Sequence, residues 1–322
     1  MTEPTPYEAL IALGRSLRGT EIFQQESETA PQPTAEQVAA FLDVNRDVLE
    51  RVRDHLSPAV VSPVSYDAAD MDRMVSKFGS GLWRLTVALS RKIEAEGAIG
   101  EYVSAVRWGI DLFDFSNCLR RGGLMIDCLV SSKTAGIAVD ALRKFRDKIP
   151  ADNRRSFLAE LARIDEQREP FAELLARERD WNRTILPQLD GEARAELEAY
   201  LADDDALPDR HDSTQLFDFE ALAKLRLLAI DIALRVWQAD YGRNPELLDE
   251  LTPEVLPSPL IDPHSGAPFR YRRSGDPFVL YSVGCSGVDH DGTFGPYFGE
   301  HRREFDLCLD SVDYHVEESH PS

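Results

Sequence analysis

The chain has 322 residues, 43% hydrophobic and 29% charged, with 57 acidic against 36 basic side chains and a formal charge of −21. That length and balance suit one large or two ordinary domains with a real core, which excludes disordered and collagen-like readings. The acidic field repels phosphate backbones and anionic lipid surfaces, so nucleic acid is set aside as a partner. No run approaches the roughly 20 apolar residues of a membrane span, and the opening MTEPTPYEAL lacks a charged-then-apolar leader pattern. The expectation is a chain soluble as given, with four cysteines too scattered to form a disulfide scaffold or to fix the compartment.

From Thr34 to about Leu201 the apolar pattern is helical. Val38, Phe41, Leu42, Leu49, Val52 and Leu56 recur at helical spacing until Ser57-Pro58 stops them. A second segment, about 68–95, carries Met71, Val75, Phe78, Leu82, Leu85, Leu89 and Ile93, with Gly79 and Gly81 as places to bend. A third, with Tyr102, Val106, Ile110 and Phe113, is expected to fold back on it as an antiparallel hairpin, because short connections make sequential helices neighbours. Gly122-Gly123 interrupts the pattern before Leu124 to Phe145 resumes it, and two further helices follow near 154–167 and 171–185.

The stretch from Leu201 to Asp212 holds several carboxylates and no apolar period, which marks an exposed connection. Beyond it one helix is expected over about 217–241, with Leu222, Leu225, Ile232, Val236 and Trp237 on its buried stripe and Gly242 as its stop. Two short strands follow, Phe269-Arg-Tyr-Arg and Phe278-Val-Leu-Tyr-Ser-Val, joined by Ser274-Gly-Asp-Pro. The fold class expected is mainly α: residues 1–33 an N-terminal extension, 34–202 an all-helical domain of weakly tetratricopeptide-like hairpins, 203–213 an acidic linker, and 214–322 a small α+β module with an acidic tail. The linker is expected to be the interior site most open to proteases.

Three motifs in that module carry a resemblance. Asp240, Gly242 and Pro245 form a D-x-G-x-x-P element; Asp262, Pro263 and Gly266 form a D-P-x-x-G turn; Tyr281, Ser282, Gly284 and Gly287 stand in a Y-S-x-G loop. Residues 217–292 thereby resemble the soluble part of the major pseudopilins of type II secretion, in which a helix leads to a small antiparallel sheet and a calcium-binding loop. Here about 200 helical residues come first, so fibre assembly is not implied. The whole layout resembles a group of planctomycete-type bacterial proteins with a helical front half, which look membrane-anchored at the N-terminus. That resemblance implies an ectodomain, with membrane contact only through an anchor outside this chain.

No Gly-rich phosphate loop, H-E-x-x-H, C-x-x-C or G-x-S-x-G motif occurs. Gly284-Cys-Ser-Gly reads as a turn, since no helix start is there to activate the thiol. Asp203, Asp204 and Asp205 read as solvated, because a catalytic pair needs one carboxyl in an apolar pocket. Arg120, Arg121 and the Lys144, Arg146, Lys148 group read as solvated helix faces and a favourable helix end. Cys285, His290, His301 and Cys308 suit zinc by type but match no common closed site by spacing, so a cystine or two unpaired thiols is preferred. If the protein is extracytoplasmic, a Cys285–Cys308 disulfide is expected; Cys118 and Cys128 read as small buried hydrophobes.

Calcium is the ligand this sequence suggests best. Ser286, Asp289 and Asp291 sit among three glycines, and a hard cation needs several oxygens converging from a tight loop. The loss of one carboxylate, where the related loop is acidic and this chain has Ser286, leaves an ordinary Asx-rich turn as the alternative. The functional expectation is a non-enzymatic extracytoplasmic interaction or structural protein with a calcium-stabilised loop and a protein partner. The alternatives are a soluble metal-dependent hydrolase and a cytoplasmic helical-repeat adaptor.

Overall fold

The computed structural model describes residues 4–20, 33–70, 81–206, 213–273, 278–295 and 299–311. It is mainly helical, with one two-stranded sheet among the described residues. Two compact units divide the chain: Met1–Leu142 with Arg163–Asp218, and Arg143–Ala162 with Phe219–Ser322.

The first unit opens with helix α1, Pro6–Ser16, where the sequence reading placed only an extension. Thr5 and Glu8 close a reciprocal capping box, and Pro6 supplies a preset φ at the first helical position. Tyr7, Leu10 and Leu13 fall on one stripe and are buried, at about 1.5–3 kcal/mol for each fully buried side chain. Helices α2 (Ala35–Val44) and α3 (Arg46–Val52) follow, and Asn45 between them is buried, its amide bonded to the carbonyls of Arg18 and Phe41. The expected long helix over 68–95 is realised as α4, Trp83–Ala98; residues 71–80 lie outside those described. Gly81, read as a bend, serves a close approach: a Cβ there would lie 2.4 Å from the Ile11 carbonyl oxygen, and one on Gly14 would lie 2.0 Å from that of Gly81.

Helix α5, Tyr102–Arg120, packs against α4 as the expected hairpin. Gly122, at φ +71°, turns the chain into α6, Met125–Arg143, so Cys118 and Cys128 stand on different helices and both are buried. Small polar residues let these helices approach: Ser116 donates to the Ser131 carbonyl at 2.9 Å, and the Thr86 and Thr134 hydroxyls meet at 3.2 Å. Helices α7 (Ala151–Glu166), α8 (Phe171–Ile185) and α9 (Gly191–Ala206) continue the chain, with Trp181 and Ile185 of α8 packed on Leu124.

Helix α10, Ser213–Tyr241, ends where Gly242 adopts φ +68° and donates its N–H to the Gln238 carbonyl. Residues 227–234 are buried at every position, so this stretch is enclosed around its circumference rather than along one stripe. In the second unit β1, Arg270–Arg272, pairs antiparallel with β2, Val279–Tyr281, with Arg270 opposite Tyr281 and Arg272 opposite Val279. Arg146, expected in a solvated group, is bound to Asp231 and to Asp310.

The divisions of the chain differ from those expected. Residues 203–206 close α9, residues 207–212 lie outside those described, and the change of unit falls inside α10 after Asp218. Asp218, the last residue before that change, is paired with Arg120 and Arg168 of the first unit.

Candidate functional site

Two clusters concentrate the chain's charge chemistry. In the first unit Asp218 is 2% exposed and accepts from Arg120 Nη1 at 2.5 Å, Arg120 Nη2 at 3.2 Å, Ser132 Oγ at 2.9 Å and the Arg168 guanidinium. Arg120, read from sequence as a solvated face, is 1% exposed and donates from Nε to the Glu169 carbonyl at 2.6 Å. Glu169 in turn accepts from the Gly122 amide at 3.0 Å and pairs with Arg177. Burial alone would raise the Asp218 pKa, but the Arg168 and Arg120 guanidinium charges hold it below the usual carboxylate range. The Cys128 thiol beside them is pushed up to about 12 by burial and by the Asp218 charge, which keeps it protonated at neutral pH.

In the second unit the sequence-derived residues Ser286, Asp289 and Asp291 belong to one loop, beginning with a short 3-10 turn at Gly284–Ser286. Two of them are bonded to each other: the Asp291 amide donates to Asp289 Oδ1 at 3.0 Å, while Asp291 sits at φ +58°. Asp289 Oδ1 also accepts from the Tyr281 hydroxyl at 2.9 Å, and Oδ2 is paired with Arg270 Nε at 2.8 Å. Ser286 serves its own turn, its hydroxyl reaching the Val283 and Val288 carbonyls and accepting from the Val288 amide. Although partial burial works the other way, the Tyr281 hydroxyl, the Asp291 amide and Arg270 hold the Asp289 carboxyl below its ordinary range. The Tyr281 phenol is pushed up to about 12 by burial and by its hydrogen bond to Asp289.

Two buried carboxylates shape this region. Asp262, of the D-P-x-x-G turn, accepts from the His264 amide, the Ser265 and Ser282 hydroxyls and the Val283 amide. Asp306 accepts from the His290 amide at 3.2 Å and the Gly292 amide at 2.8 Å, which clamps the loop from outside it. The motif reading found the first of these; Asp306 lies in no motif, and neither it nor Arg270 was singled out from the sequence.

Calcium asks for about six to eight oxygens converging at 2.3–2.6 Å. In this arrangement both Asp289 oxygens face donors, Ser286 is turned to its own backbone, and the Asp291 carbonyl accepts from Arg272 Nη2 at 2.9 Å. Among the described residues no three His, Cys, Asp or Glu side chains gather as a metal site. The zinc-suited residues are dispersed in their contacts, Cys285 on the Arg302 carbonyl and His301 on Glu304. The disulfide expected between Cys285 and Cys308 for an extracytoplasmic protein is not formed in this structure, and Cys308 Sγ contacts Ser311 Oγ. No helix among the described residues is long and apolar enough to cross a membrane. No family model, curated protein or solved structure matches the chain.

Proposed function

We propose that this is a non-enzymatic, extracytoplasmic interaction or structural protein, in which paired helices present a binding surface and a pseudopilin-like α+β module follows them. The observation that carries the reading is how the charged groups are spent. Asp218, Asp289, Asp262 and Asp306 each accept hydrogen bonds from two or more groups of the same unit, so each acts as a bracket for backbone or helix rather than as an acid, base or ligand awaiting a substrate. Recognition is then left to outward side chains. At the turn of the α4–α5 hairpin Ile99, just past the end of α4, is 75% exposed and Val103, in the first turn of α5, 48% exposed. The extracytoplasmic placement and the pseudopilin-like character rest on the three motifs of residues 240–287.

The test is protease or membrane-impermeant labelling of the full protein in its intact native cells. Modification before lysis supports the placement. Protection until lysis contradicts it and leaves the cytoplasmic adaptor reading.

A further inference from the structure

We propose that Arg270 and Arg272 stand where a calcium ion would otherwise sit, so that residues 283–292 hold their fold without a metal. This inference does not depend on what the protein binds or where it resides. Residues two apart in a strand share a face, and directly opposed residues of an antiparallel pair share it too. Arg270, Arg272, Tyr281 and Val279 therefore line one face of the hairpin. The loop folds back across that face and touches all four. Arg270 takes the Asp289 carboxylate, Arg272 takes the Asp291 carbonyl, and Tyr281 takes the other Asp289 oxygen. Gly292 lies against the remaining surface, where a Cβ would come within 3.1 Å of Arg272 Nη2, 3.3 Å of Tyr281 Cε1 and 3.6 Å of Val279 Cγ1.

A cation in a tight loop does two things: it neutralises carboxylate charge and it orients carbonyl oxygens inward. Here the first is supplied by the Arg270 guanidinium, whose Nε–H meets Asp289 at charge-assisted distance, and the second by Arg272. Asp306 completes the loop from its far side by accepting the two amides at 290 and 292. A calcium ion brought to Asp289 would meet a guanidinium already bound there, and displacing it would place two cationic groups side by side. Two side chains on the strand thus do by covalent attachment what a diffusible ion would do by binding.

The experiment is peptide-resolved hydrogen exchange on the full chain, in millimolar calcium and in chelator. Exchange across 284–295 is expected to be the same in both for the unsubstituted protein. Arg270→Gln and Arg272→Gln should each speed it about two- to fivefold in both solutions, the scale of a partly exposed ion pair or hydrogen bond. Arg270→Lys, which keeps the charge but not the fork, should fall between. Protection that is lost on chelation, or glutamine variants that exchange like the parent while remaining folded elsewhere, would overturn the proposal.

Discussion

The Arg120–Asp218 pair and the Arg270–Asp289 pair join the same two chemical groups at comparable distance, yet they live in different solvents. The first is 1% and 3% exposed at its side chains, the second 45% and 34%. A buried pair has lost its hydration, so removing one partner leaves a charge with nothing to replace what water gave. A half-exposed pair can return to water at little cost. The first therefore ties the N-terminal turn of α10 to α5 and α6, while the second only shapes a loop whose fold also rests on Asp306 and on Gly292.

The largest effect should come from Arg120→Ala, about 3–5 kcal/mol lost by urea unfolding and little changed by salt. Next is a pH effect. Burial pushes the His264 imidazole down to about 4, with Arg302 adding and Asp262 opposing. A group whose folded pKa is depressed favours the folded state above its unfolded value and loses that contribution as pH falls. Stability should therefore decline from pH 6.5 towards 4 by up to about 3 kcal/mol, and His264→Gln should flatten that part of the profile. Gly292→Ala should cost about 1–2 kcal/mol, because φ is +77° and the ring of Tyr281 stands in the way. Smallest is Arg270→Gln, about 0.2–1 kcal/mol and vanishing in molar salt. A loss as large as that of Arg120→Ala would erase the distinction between the two pairs.

What could be read from the sequence follows the range of the interaction. The α4–α5 hairpin and the β1–β2 hairpin rest on local periodicity and turns, and the two strands and the pairing of the helices were legible, although α4 begins at Trp83 rather than near residue 68. Helix α1 was legible too, through Thr5-Pro6 with Glu8 three residues after Thr5 and the stripe of Tyr7, Leu10 and Leu13, but the short run before a polar stretch passed as an extension. The burial of Arg120 was not legible: its partner lies 98 residues away, and an arginine at a helix end looks the same whether solvated or enclosed. The loop was legible only in part. Glycines and carboxylates at 284–292 do not show in sequence that arginines reach them, and the one available signal was Arg270 and Arg272 two apart in a strand, opposite Tyr281 and Val279.

On the function proposed above, the buried charges of this chain are brackets of the fold rather than parts of a reactive site. Urea unfolding of Asp218→Asn at neutral pH tests it most directly. The substitution keeps shape but leaves Arg120 and Arg168 buried without a counter-charge, so the predicted result is a loss of about 3–5 kcal/mol with an unchanged slope. A variant as stable as the parent, or more stable, would contradict the claim, since that is how a charge retained for function at the expense of stability behaves.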